Sequence, residues 1–182
     1  PVAVTMPSGV TFSEISVGSF HSLAIGTNGK GYAWGLNTNG QLGNTGVTDR
    51  NMPGPITMPS GVTSFTHISG GGDHSLAIGN NGRAYAWGSN TNGRLGDGTT
   101  TGRRSPVAVT LPSGVTSFTR ISAGASASVA IGNNGRVYAW GNNPNGTFGN
   151  GVTGTTSSTP VAATMPSGVT SFTQLGLRSE HV

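Results

Sequence analysis

The sequence predicts an all-β fold: a β-propeller of four-stranded blades, present as a partial ring. About three to three and a half blades are present. Two observations point there. A repeat of 53 residues runs along the chain, and each repeat holds short strands with period-two patterning and one Asn-Gly hairpin signal. A third observation is negative, because no stretch shows the 3.6-residue periodicity of an amphipathic helix.

The period is read from Trp34, Trp87 and Trp140, each 53 residues from the next. HSLAIG at 21–26 and 74–79, and ASVAIG at 127–132, lie upstream of the tryptophans. NTNGQLG at 37–43, NTNGRLG at 90–96 and NPNGTFG at 143–149 lie downstream. The segment MPSGV or LPSGV starts at Met6, Met58, Leu111 and Met165. The units run approximately over 12–57, 64–110 and 117–164, with partial units at 1–11 and 165–182. A β-helix would need a sub-period of about 20–30 residues, which the sequence lacks.

Within the second unit, SFTHIS (64–69) is the first strand, with Phe65 and Ile68 as its apolar residues. HSLAI (74–78) is the second, with Leu76 and Ile78 on one face by alternation. RAYAW (83–87) is the third, with Tyr85 and Trp87 opposite Ala84 and Ala86, and PVAVT (106–110) is the fourth. Between the second and third strands, Asn-Gly supplies Gly29, Gly82 and Gly135 to a turn expected to be type I′. Blades pack face to face, so both faces of each sheet must be apolar or small. Trp34, Trp87 and Trp140 are therefore expected between blades, and Gly70-Gly71-Gly72 where two backbones approach closely.

Composition narrows the function. Glycine is 32 of 182 residues and only 8% are charged, but the glycines recur at fixed positions, which favours order over low complexity. There is no cysteine for a disulfide or thiolate metal site, and no apolar run of 18 residues to span a membrane as a helix. The net charge of +4 reflects scarce acids: Lys30 is the only lysine and Arg103-Arg104 the longest basic run, which speaks against specific nucleic-acid binding. An Asn/Thr/Gly-rich, lysine-poor surface leans towards an extracellular or surface-exposed bacterial protein, and the opening Pro1-Val2 towards an excised or processed segment.

Candidate chemistry is thin. Asp73-His74 could form a base with its orienting carboxylate, but strand neighbours point to opposite faces. His21 and His74 are read as structural, bonding loop backbone at the inner end of the blade. The histidines show no metal-ligand spacing, and the glycine clusters lack the helix and lysine of a phosphate site. No catalytic, cofactor or metal residue is assigned. The arginines of the long connections from third to fourth strand, Arg50, Arg94, Arg103 and Arg104, are the candidate partner-binding set, as an edge that meets an acidic protein surface.

Gly18, His21, Leu23, Gly29, Trp34, Gly35, Asn37, Gly40, Leu42 and Gly43, with their equivalents 53 and 106 residues later, form a pattern that resembles the regulator of chromosome condensation family of seven-bladed propellers. The third copy departs from it, with Ala127 at the histidine position and Phe148 in place of Leu42 and Leu95. The resemblance implies a non-enzymatic module that binds other proteins through loops and faces. Its relatives include one that exchanges nucleotide on a small GTPase, an activity the few acids here, Glu14, Asp49, Asp73, Asp97 and Glu180, do not support. Two other readings stand beside it. One is a glycan or small-ligand propeller using Asn37/Asn39, Asn90/Asn92 and Asn143/Asn145 with the neighbouring Trp34, Trp87 and Trp140, a reading that needs those rings exposed; the other is a purely structural array. PVAVT (1–5) is expected as a lone fourth strand and SFTQLGLRSEHV (171–182) as a new first strand with His181 in the place of His74. A second copy or a missing segment is expected to complete the ring.

Overall fold

The computed structural model describes residues 2–177. It holds three antiparallel four-stranded sheets, each in simple chain order. The first contains β1 (Phe12–Val17), β2 (His21–Gly26), β3 (Gly31–Gly35) and β4 (Arg50–Pro55). The second contains β5 (Phe65–Gly70), β6 (His74–Gly79), β7 (Ala84–Gly88) and β8 (Arg103–Ala108). The third contains β9 (Phe118–Ala123), β10 (Ala127–Gly132), β11 (Val137–Asn143) and β12 (Thr155–Ala162). First strands lie against one another, β1 on β5 and β5 on β9, so the sheets stack as consecutive blades.

The core sits between sheets, as period-two alternation requires. Each blade turns Leu and Ile of its second strand and Ala of its third to the following blade, and its Phe, Tyr and Trp to the preceding one. Leu23, Ile25 and Ala33 of the first sheet thus pack with Phe65, Ile68, Tyr85 and Trp87 of the second. Leu76, Ile78, Ala84 and Ala86 of the second pack in the same way with Phe118, Tyr138 and Trp140 of the third. Burial of each large side chain contributes roughly 1.5–3 kcal/mol. Trp87 and Trp140 are fully buried, while Trp34, on the face of the first sheet that no other described sheet covers, is half-buried against Phe12.

The glycines behind the first strands make the predicted close approach. A Cβ on Gly71 would stand 2.6 Å from the carbonyl oxygen of Gly124 in the next blade. At Gly124 itself, the nearest atoms to such a Cβ belong to Leu177, at 3.4 Å.

Three local expectations are corrected. The hairpins are present, but the turns are not type I′: only Gly29, Gly82 and Gly135 have positive φ, of 75°, 74° and 76°. The amide of Gly29 donates to Gly26 O and that of Gly26 to Lys30 O, a three-residue loop in which one left-handed glycine follows an ordinary turn. Asn28 stays right-handed because its Oδ1 accepts the Lys30 amide while its Nδ2 donates to the Tyr32 hydroxyl.

The fourth strands begin earlier than the sequence suggested, at Arg50, Arg103 and Thr155. A bulge opposite Gly88 (φ 100°) lets Arg103 rejoin the ladder ahead of the Ala86–Val107 pair. Pro106 sits inside that bulge, where its missing N–H breaks no ladder bond.

Residues 2–7 form no strand, and Val2 is 96% exposed; a fourth strand bonds only its own third strand, and none stands beside it. Residues 171–177 likewise form no strand. They nonetheless occupy the place of a first strand, since Phe172 N donates to Gly135 O as Phe118 N does to Gly82 O. His181 lies outside the described residues.

Candidate functional site

One hydrogen-bond motif joins successive blades. His21 Nε2 lies 2.9 Å from Ser75 Oγ in the next blade, and Ser75 donates to the carbonyl oxygen of Gln41 at 2.8 Å. The indole Nε1 of Trp87 donates to that same oxygen at 2.8 Å. His74, Ser128, Arg94 O and Trp140 repeat the arrangement at the second junction with the same distances. Because each serine hydroxyl gives its proton to a carbonyl, the histidine Nε2 carries the proton it donates. The sequence reading has these histidines bond loop backbone. Their partner, however, is a serine 54 residues away, not loop backbone.

A histidine beside a serine is also the pairing of nucleophilic catalysis. Here both members are buried, the serine proton is committed to a carbonyl, and Asp73 makes no hydrogen bond to His74. Burial pushes His21 down to about 4. Burial, with help from the nearby Arg94 charge and from His21, pushes His74 to about 3. Both rings are neutral at neutral pH. Among the described residues, no group of three His, Cys, Asp or Glu is placed to hold a metal ion.

The long connections from third to fourth strand are held from within by asparagine. Asn37 accepts the Leu42 amide and donates to Asn44 Oδ1, Gly46 O and Thr48 O. Asn90 does the same for Leu95, Asp97, Thr99 and Thr101, and Asn143 for Phe148 and Val152. These three asparagines are buried, so with Trp87 and Trp140 they form the inside of the loops and blades rather than a sugar-binding surface.

The four candidate arginines separate. Arg94 is 8% exposed, donating to Thr91 O and across the junction to Ala125 O, and so forms part of the blade interface instead of an exposed edge. Burial lowers its pKa, opposed by the Asp73 carboxylate. Arg103 pairs with Asp97 at 2.8 Å. Burial alone would raise the Asp97 carboxyl, but hydrogen bonds from Thr99, Arg103 and Asn90 outweigh it and hold it below the usual range. Arg50 has Asn44 where Arg103 has Asp97, and bonds Pro55 O instead. Of the four, Arg104 alone is exposed, with its Cα and the base of its side chain against Gly40 of the first blade.

At the opposite end of the blades stands a set that the sequence reading passed over. Lys30, Arg83 and Arg136 occupy one position of the hairpin between second and third strands, and all three are exposed. Their 53-residue spacing was available in the sequence.

Comparison with known proteins bears on the repeat. The family model described as the regulator of chromosome condensation (RCC1) repeat matches residues 28–78, 81–131 and 134–177, and a second model of the same description matches 12–41, 65–94 and 118–147. The chain belongs to the regulator of chromosome condensation repeat family. Among relatives of this repeat, the ultraviolet-B receptor UVR8 of Arabidopsis thaliana is 31% identical over 151 residues, 83% of this chain and 34% of the receptor. The human regulator of chromosome condensation is 32% identical over 143 residues, 78% of this chain and 34% of the regulator. The chain thus spans about a third of the length of these relatives. The solved structure of Prp20p from Saccharomyces cerevisiae aligns at a TM-score of 0.74 and 24% identity, over 86% of this chain and 39% of that one. That likeness shows the fold, and the RCC1-type blades are those built above from strand patterning.

Proposed function

We propose that this chain is a non-enzymatic binding module that holds a protein partner through its blade-connecting loops. The observation that carries the reading is the construction of those loops. Each is fixed from inside by one buried asparagine, while Arg104, and in part Arg50 and Arg103, remain in contact with solvent. A loop already ordered before binding loses little entropy on docking, and loops on a stiff scaffold are where recognition concentrates. The enclosed His–Ser pairs and buried tryptophans support binding over catalysis or sugar stacking. Protein contact is also in keeping with Prp20p, whose structure is described together with its binding to Gsp1p and histones.

The test is affinity capture of a defined protein partner followed by cross-link mapping. Cross-links are expected to cluster on residues 36–49, 89–102 and 144–154, and Arg104→Glu is expected to weaken the complex several-fold. A partner whose binding ignores every loop substitution would sink this reading.

We further propose that another propeller repeat, from a second copy or a further blade, covers the outward face of the first sheet. Ile15, Val17 and Phe20 there are 61%, 63% and 70% exposed, whereas Ile68, the equivalent of Ile15, is 5% exposed beneath the first blade. An apolar face of this kind marks an interaction surface. Light scattering is expected to give a mass above the 18.2 kDa of one chain if a second copy does the covering; a mass of one chain would exclude the second copy.

A further inference from the structure

We infer that the hairpin end of the blades, opposite the long loops, is a docking surface for an acidic polypeptide segment. Lys30, Arg83 and Arg136 each follow the glycine of a hairpin turn, one per blade. Only 9 of 182 residues are Lys or Arg, and three of them occupy this one repeat position. The side chain changes from lysine to arginine while the charge is kept. On the first strands, by contrast, the matching register reads Glu14, His67 and Arg120, and the charge is not kept.

The backbone beneath each cation is pinned. Asn28, Asn81 and Asn134 accept the amides of Lys30, Arg83 and Arg136 through Oδ1, and donate through Nδ2 to the hydroxyls of Tyr32, Tyr85 and Tyr138. Arg83 and Arg136 make no side-chain hydrogen bond or ion pair among the described residues, and Lys30 Nζ donates only to Thr63 O. Fixed base and exposed cation together form a pre-organised recognition element.

The described carboxylates are unevenly placed, with Arg50, Arg94, Arg103 and Arg104 standing beside the aspartates at the loop end. Asp49, Asp73 and Asp97 all lie at the loop end. Near the hairpin end the one described carboxylate is Glu14, and its Oε1 already accepts the Ile68 amide at 2.9 Å. Arg120, exposed on β9, adds a further positive charge.

The spacing and the neighbours select the ligand class. Stacked sheets stand about 10 Å apart, the span of about three residues of extended chain, so carboxylates spaced along one acidic segment can meet successive blades. Guanidinium forks match carboxylates in bidentate geometry. Nucleic acid fits less well: Phe172 is the one exposed aromatic ring at this end among the described residues, and three or four cations fall short of the roughly 6–10 phosphate contacts of a firm duplex complex.

The test is fluorescence anisotropy with a labelled glutamate-rich peptide, a glutamine-rich peptide of equal length, a thymidine oligonucleotide and a DNA duplex, all titrated with the full chain. Salt-sensitive binding to the glutamate peptide alone is expected. Arg83→Gln and Arg136→Gln should each weaken it by about two- to five-fold, with Arg83→Lys retaining most of the affinity. Arg104→Gln, at the loop end, should leave it unchanged while still weakening a loop-bound protein, so the two surfaces fail separately. Circular dichroism of these exposed variants is expected to match that of the parent. Absence of peptide binding, equal loss from Arg104→Gln, or tighter binding of either nucleic acid would overturn the proposal.

Discussion

Replacing Trp87 with alanine is expected to cost about 3–5 kcal/mol of folding stability, and the same change at Trp34 less than half of that. The two residues sit in near-identical sequence, GYAWG and AYAWG, so local propensity cannot separate them. Their surroundings differ. Trp87 is fully buried between two blades, stacks near Phe65 at 6.3 Å, and gives its indole proton to Gln41 O. Removing it opens a cavity and takes one of two donors from a buried carbonyl. Trp34 contacts Phe12 of its own blade and is half-buried, so truncation removes less contact and leaves no sealed void. Urea unfolding of both variants measures the difference. Equal losses would mean that the junction between the first two blades is not where the stability lies. Since small domains hold only about 5–15 kcal/mol in total, Trp87→Ala is expected to bring the chain close to unfolding at room temperature.

Acid is expected to weaken the same junctions. His21 and His74 are neutral in the folded chain, with pKa values of about 4 and about 3, against 6.5 when unfolded. The unfolded chain therefore takes up protons first. Stability is complete above about pH 6.5 and falls as the pH drops, by about 1.4 kcal/mol per pH unit for each histidine, until the folded pKa values are reached. By pH 5 the two together remove about 4 kcal/mol, a large share of what a domain of this size holds. Unfolding midpoints measured from pH 7.5 to 5 check this slope. A His21→Gln, His74→Gln double variant should be less stable at pH 7.5 but show a much flatter profile. Parallel profiles for the two proteins would assign the acid sensitivity to other groups.

Much of the blade was legible before any coordinates. The 53-residue period revealed three repeats, and alternation assigned Leu76 and Ile78 to one face and Tyr85 and Trp87 to the other, because side chains in a strand must alternate. Asn-Gly located the three hairpins but misled on their turn type, since the choice of Asn28 is set by its bond to the Tyr32 hydroxyl and not by the dipeptide. The fourth strands were placed late because a bulge at Gly88 is a property of the pairing, not of either strand alone. Candidate arginines fared unevenly for a similar reason. Register grouped Arg50 with Arg103 correctly, but it could not show that Arg94 reaches Ala125 of the following blade.

What the sequence by itself determined was everything with a short range: the repeat, the strands, the hairpins and the sidedness of each sheet. Only the tertiary structure decided which of three like tryptophans are sealed, that His21 and His74 each serve a serine one blade away, and that Arg94 belongs to a blade junction. Those facts depend on which blade stands against which, and residues about 54 apart in the chain meet only once the sheets stack.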